Sequence, residues 1–130
     1  HHASATSRPM PREGDRGLIG QLTSVDVATG ETRWVYRQRA GIGGSVLTTG
    51  GGLVCVTDDA RRMRAFDADN GDILWEQILN SSAGGFPTSY EIDGVQYIAI
   101  AAGGGVNYRR HTPEIRQRGG GNMLYVFRLP

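Results

Sequence analysis

Residues able to do chemistry concentrate in one stretch of this 130-residue sequence. Between the Gly-rich ends at Gly103 and Gly121 stand Tyr108, Arg109, Arg110, His111 and Glu114. Loops carry function more often than the strands that hold them, so these side chains are candidates for a lid or a substrate contact. The competing reading is a charged, solvated loop. His111 and Glu114 would need further ligands to hold a metal, and no second His or Cys stands nearby at ligand spacing. Gly103-Gly104-Gly105 does not open a helix, which argues against a phosphate loop. No spacing of Ser, His and Asp argues a nucleophilic triad. Cys55 lies in the run Leu53-Val54-Cys55-Val56 and reads as a small buried hydrophobe rather than a reactive thiol.

The elements that must position these groups come from a repeat. Asp26, Gly30 and Trp34 recur as Asp67, Gly71 and Trp75, each 41 residues on, and Leu22 and Val25 keep step with Met63 and Phe66. A period in the forties marks a repeat architecture. Residues 22–27 alternate and carry β-branched side chains, which predicts a strand. The Asp can accept hydrogen bonds from turn amides and the Gly tolerates positive φ. The second strand then carries Trp34 or Trp75, placed to pack between neighbouring sheets.

Composition narrows the function classes. The formal net charge is +1, which gives no case for nucleic acid or an acidic membrane surface. All 14 basic residues are Arg, so Lys chemistry is excluded. A single Cys forbids a disulfide within the chain. No run of 18 apolar residues is present, so no membrane-spanning helix is expected. The 20 Gly suit tight turns between short strands.

In chain order, His1-His2 reads as a purification-tag remnant and residues 1–17 as an irregular lead-in. Residues 18–38 give the last two strands of one unit. Residues 41–79 give a full four-stranded unit, with strands at Ser45–Thr49, Leu53–Thr57, Met63–Ala68 and Ile73–Leu79, and Asp58–Arg62 as a polar turn. Residues 84–130 give a third unit: Phe86–Ile92, the hairpin signal Asp93-Gly94, Val95–Ala102 and Met123–Leu129. Val95–Ala102 is almost continuously apolar and is expected to be buried on both faces. Phe127 aligns with Phe66 at a spacing of 61, so the third unit carries an insertion. The fold class expected is all-β: a partial β-propeller of four-stranded antiparallel blades, about two to three of a ring that typically has about four to eight. The start is then expected to be a cut and Pro130 a natural end, with a three-stranded last blade completed by the other end of the polypeptide.

At this level the residues resemble a known family. Ala65-Phe66-Asp67-Ala68-Asp69-Asn70-Gly71-Asp72-Ile73-Leu74-Trp75-Glu76, the stretch Gly43 to Val54, the stretch Pro87 to Gly103 and the ending Leu124-Tyr125-Val126-Phe127-Arg128-Leu129-Pro130 resemble the C-terminal blades of pyrroloquinoline quinone (PQQ) dependent alcohol and sugar dehydrogenases. The resemblance implies an eight-bladed propeller in the periplasm, with PQQ near its axis and a calcium or lanthanide ion beside the quinone. The metal-ligand Glu and Asn and the catalytic Asp of the family lie in blades absent here, so no catalytic or metal residue is carried over. The cofactor-binding expectation is confined to Ile42, Gly43 and Gly44. There the family often has Trp before Gly-Gly; Ile42 departs from it. The amides of Gly43 and Gly44 could approach a carboxylated cofactor, since Gly presents no side chain. Gly84-Gly85-Phe86 holds the equivalent place in the next unit.

Two functions follow from the resemblance. The first is a quinoprotein dehydrogenase fragment that oxidises a small alcohol or sugar in its full-length form, hands electrons to a cytochrome or quinone, and is inactive as an isolated piece. The Gly103–Gly121 loop could then be a docking face for the electron acceptor. The alternative is a non-catalytic propeller that acts as a protein-binding scaffold or sensor. In either case the open strand edges must meet the remaining blades or self-associate.

Overall fold

The computed structural model describes residues 2–7 (main chain), 17–43, 46–103, 112–115 and 121–130. All regular structure among them is β-strand, in three antiparallel sheets. The first contains β1 (His2–Ser7), β2 (Gly20–Val25) and β3 (Thr32–Gln38), in that order. The second contains β4 (Leu47–Thr48), β5 (Leu53–Thr57), β6 (Arg62–Asp67) and β7 (Ile73–Ile78). The third contains β8 (Thr88–Ile92), β9 (Val95–Ala102) and β10 (Met123–Arg128). No helix among the described residues is long and apolar enough to cross a membrane.

The repeat is visible down to single hydrogen bonds. In the first hairpin the Asp26 carboxylate accepts from the Ala28 and Thr29 amides at 2.9 and 3.3 Å. In the second, Asp67 accepts from the Asp69 amide at 2.8 Å. Gly30 N donates to Asp26 O and Gly71 N to Asp67 O, at 2.7 and 2.9 Å, with φ of +76° and +79°. The turn amides hold the Asp26 carboxyl below the usual carboxylate range. Both hairpins also slip register at the same repeat position, between Ser24 and Val25 and between Ala65 and Phe66.

Each Trp then docks on the repeat-equivalent Phe of the next sheet. Trp34 stacks on Phe66 with centroids 6.3 Å apart, and its indole N–H donates to Ala68 O at 2.9 Å. Trp75 meets Phe127 edge-on at 4.8 Å. Residues alternating along β5 therefore feed two cores. Val54 and Val56 join Leu22, Ile42 and Phe66 against the first sheet; Cys55 joins Met63, Ala65, Ile98, Ile100 and Ala102 against the third. The second sheet is thus covered on both faces, the arrangement of a blade between neighbours.

Gly71 sits where this stacking is closest. A Cβ there would lie 2.8 Å from the Trp34 ring, whereas one at Gly30 would meet nothing within 4 Å. Both have the left-handed φ that strains an L-residue. Gly30→Ala is expected to destabilise by about 1 kcal/mol through backbone strain alone. Gly71→Ala should cost about 2–4 kcal/mol, because an overpacked ring contact adds to the strain. Denaturant unfolding of the two variants side by side checks the difference.

Two expectations are corrected. Residues 2–7 are not an irregular lead-in: they form β1, which pairs with β2 from His2 opposite Val25 to Ser7 opposite Gly20. The pairing satisfies main-chain groups that β2 would otherwise leave at an edge, and it needs no apolar pattern. β9 is not buried on both faces. Ile98, Ile100 and Ala102 are buried against the second sheet, whereas Ala99 is half-buried and Ala101 exposed. β9 is the middle strand of its sheet, and no described residue forms a second core on its other face.

Candidate functional site

The described parts of four connections lie at one end of the sheets: 39–43 and 46 between β3 and β4, 58–61 between β5 and β6, 79–87 between β7 and β8, and 103, 112–115 and 121–122 between β9 and β10. Long-range hydrogen bonds tie them together. Asp59 N donates to Gly41 O at 2.9 Å, Gly103 N to Ser82 O at 3.1 Å, and Thr57 Oγ1 to Ala83 O at 2.7 Å. The Arg39 guanidinium pairs with Glu114 at 2.6 Å and also donates to Gly17 O. The pair draws the Glu114 carboxyl below its ordinary range, the hydrogen bond from Arg39 being the main cause. Of the described residues, nearly all buried polar side chains collect here: Gln38, Thr57, Asp58, Asp59, Ser81, Ser82 and Thr112.

The centre of this layer is Asp58. Its Oδ2 accepts from Arg64 Nη1 at 2.7 Å and from Gln38 Nε2 at 3.0 Å, while Oδ1 accepts from the Arg62 amide at 2.9 Å. Arg64 reaches on to Glu76 at 2.6 Å and to Gln38 Oε1 at 2.7 Å. Burial opposes the Arg64 cation, but the hydrogen bond and charge of Asp58 outweigh it, so its pKa moves up. The turn that presents these groups requires Arg61 at φ +66°. Asp59 is also buried, yet its Oδ2 has no hydrogen-bond partner.

The expected site residues are placed as follows. The Ile42 side chain is buried in the core with Leu22, Val54, Val56 and Phe66. Gly43 is half-buried, and Gly44 lies outside the described residues. Gly84 and Gly85 line a cleft of about 490 Å3 with Ala101, Ala102, Gly103, Asn122, Met123 and Leu124; Phe86 is exposed. A Cβ on Gly85 would approach Ala101 O at 3.4 Å. Tyr108, Arg109, Arg110 and His111 lie outside the described residues, and Glu114 is engaged by Arg39. Among the described residues no three His, Cys, Asp or Glu side chains group as metal ligands. Burial pushes the Cys55 thiol up to about 11, consistent with an inert hydrophobe.

Sequence reasoning treated 58–62 as a polar turn and missed its acidic pair. The available signal was Asp58-Asp59 followed by Arg61, Arg62 and Arg64. Charge of both signs next to an apolar strand can mark a satisfied buried network, although a solvated turn has the same composition.

Comparison with known proteins agrees with this architecture. Residues 22–98 match the PQQ family model described as "Glucose/ethanol/alcohol dehydrogenase, beta-propeller domain". The quinoprotein alcohol dehydrogenase PedH of Pseudomonas putida is 34% identical over 132 aligned positions, covering 98% of this chain and 22% of that protein. Methanol dehydrogenase [cytochrome c] subunit 1 of Paracoccus denitrificans is 31% identical, covering 95% and 23%. The chain therefore spans under a quarter of the length of these relatives. A europium-containing methanol dehydrogenase superposes with a TM-score of 0.76 at 24% identity, over 91% of this chain and 24% of that one, a likeness of fold. With its repeat, its Trp seats and a family match over more than half its length, the chain belongs to the β-propeller family of the PQQ-dependent glucose, ethanol and alcohol dehydrogenases.

Proposed function

We propose that this chain is an arc of the propeller of a PQQ-dependent dehydrogenase that oxidises a small alcohol or sugar in the periplasm. The match of residues 22–98 to the dehydrogenase propeller family carries this reading. The blade divisions 18–38, 41–79 and 84–130 belong to the same proposal.

The residues present fit one wall of a site for a flat, carboxylated quinone. The cleft at Gly84 and Gly85 is lined in part by the small residues Ala101, Ala102 and Gly103, and the half-buried Gly43 presents no side chain, features that let a ligand approach backbone groups closely. Gly41 is fixed by the Asp59 amide, and the Ile42 side chain anchors the segment in the core. We therefore assign Ile42, Gly43 and Gly44 to cofactor positioning through their main chain. When bound, PQQ would supply the two-electron oxidant. A calcium or lanthanide ion beside it would take its ligands from residues outside this chain. A cytochrome or quinone is the electron acceptor that fits, the first being the partner named for the Paracoccus relative.

The longer polypeptide carrying these residues is expected to perturb the PQQ absorption spectrum and to reduce an artificial dye on addition of alcohol or sugar, with calcium or a lanthanide present. The isolated 130-residue chain should give no turnover. A longer polypeptide that leaves the spectrum of PQQ unchanged would instead favour the scaffold or sensor reading, toward which the departure at Ile42 points.

A further inference from the structure

Asp59 is a buried acid with no cationic counterpart among the described residues. It is 2% exposed, and its Oδ2 meets no hydrogen-bond donor. Its neighbour Asp58 is saturated by Arg64, Gln38 and the Arg62 amide. The charged groups on the elements around it are also engaged. Segment 39–43 brings Arg39, held by Glu114 and Gly17 O. Segment 112–115 brings Glu114 itself. The turn brings Arg61, whose Nη1 reaches Leu79 O at 3.4 Å, and Arg62, which pairs with Glu76. Segment 79–85 contains no titratable side chain. Among the described residues an ionised Asp59 would thus be a buried charge with no cation to compensate it, next to the Asp58 carboxylate, which the fold resists. Accordingly burial, with the Asp58 charge second, raises its pKa to about 7.

The same residue holds the proposed cofactor segment. Its amide is bonded to Gly41 O at 2.9 Å, one residue before Ile42. We propose that Asp59 is a positioning residue whose protonated form keeps the Gly41–Gly43 main chain seated for the quinone and whose ionisation unseats it. The inference rests on the cofactor reading given under Proposed function. It predicts a directional pH effect. A raised carboxyl pKa makes the folded segment most stable at low pH, with that stability lost as pH climbs from the ordinary carboxylate range toward about 7. Binding that requires the proton weakens further above it.

The test uses the longer polypeptide, wild type and Asp59→Asn, titrated with PQQ by absorbance from pH 6 to 8. The wild-type dissociation constant is expected to rise about tenfold over that range, and that of Asp59→Asn to stay flat, because the amide cannot ionise. Amide hydrogen exchange, corrected for its chemical pH dependence, supplies a second readout. Protection of the Asp59 and Ile42 amides should fall as pH rises toward about 7 in the wild type, and stay level in Asp59→Asn. A flat wild-type titration, or a variant that follows the wild-type profile, overturns the role of Asp59. If neither protein binds PQQ at any pH, the cofactor reading fails, and the exchange data alone decide whether Asp59 seats the segment. Protection lost at every pH in Asp59→Asn would show a merely structural residue and overturn the proposal.

Discussion

Replacing Asp58 by Ala is expected to remove about 3–5 kcal/mol of unfolding free energy, because it leaves one partner of a buried ion pair alone. Asp58 and Arg64 side chains are 2% and 11% exposed and lie 2.7 Å apart. The substitution takes the buried counter-charge from the Arg64 guanidinium, leaving it Gln38 Oε1 and the part-exposed Glu76, and takes an acceptor from both the Gln38 amide and the Arg62 N–H. Glu76 cannot replace it, since an exposed carboxylate contributes under about 1 kcal/mol to such a pair. The double variant Asp58→Ala with Arg64→Met should recover most of the loss, since removing both charges removes the desolvation penalty with them. Chemical denaturation of the two single variants and the double variant closes the cycle. Additive losses would show that the pair is not coupled and that the packing of this face is held otherwise.

Trp34→Ala is expected to destabilise by about 3–5 kcal/mol, and Trp75→Ala by clearly less. Trp34 is seated on three sides of a neighbouring hairpin: the Phe66 ring, the Ala68 carbonyl and the Gly71 backbone. Trp75 is 37% exposed, and among the described residues its one ring contact is to Phe127. Trp34→Phe should retain the stacking and lose the indole hydrogen bond, for about 1–2 kcal/mol. Unfolding midpoints of the three variants, with Trp emission as the probe, rank them. Equal losses for Trp34→Ala and Trp75→Ala would contradict the difference in their seats.

Much of this fold is legible in the residues because its signals are local. The 41-residue recurrence of Asp, Gly and Trp identifies two hairpins, and each turn closes on bonds within a few residues of its own Asp. The Asp93-Gly94 turn joins β8 and β9, with Asp93 at φ +50° and Gly94 at +75°. The repeat also relates the two Trp seats to each other: once the structure pairs Trp34 with Phe66, the equivalent place of Phe127 accounts for its contact with Trp75. The site is less legible. Ile42 reads as a pocket residue by family position, while its side chain packs into the core. Asp58 and Asp59 read as part of a polar turn and are buried, the first saturated and the second with its Oδ2 unpaired.

What the sequence determined by itself was therefore the hairpin unit, its turn chemistry and its family. Tertiary structure alone decided which face of β9 is covered, that His2–Ser7 joins a sheet, and that two adjacent Asp residues have opposite environments. The physical reason is range. A turn is set by dihedrals and hydrogen bonds among neighbours, whereas burial and charge pairing depend on groups brought together from distant parts of the chain, such as Gln38 with Asp58 and Arg39 with Glu114.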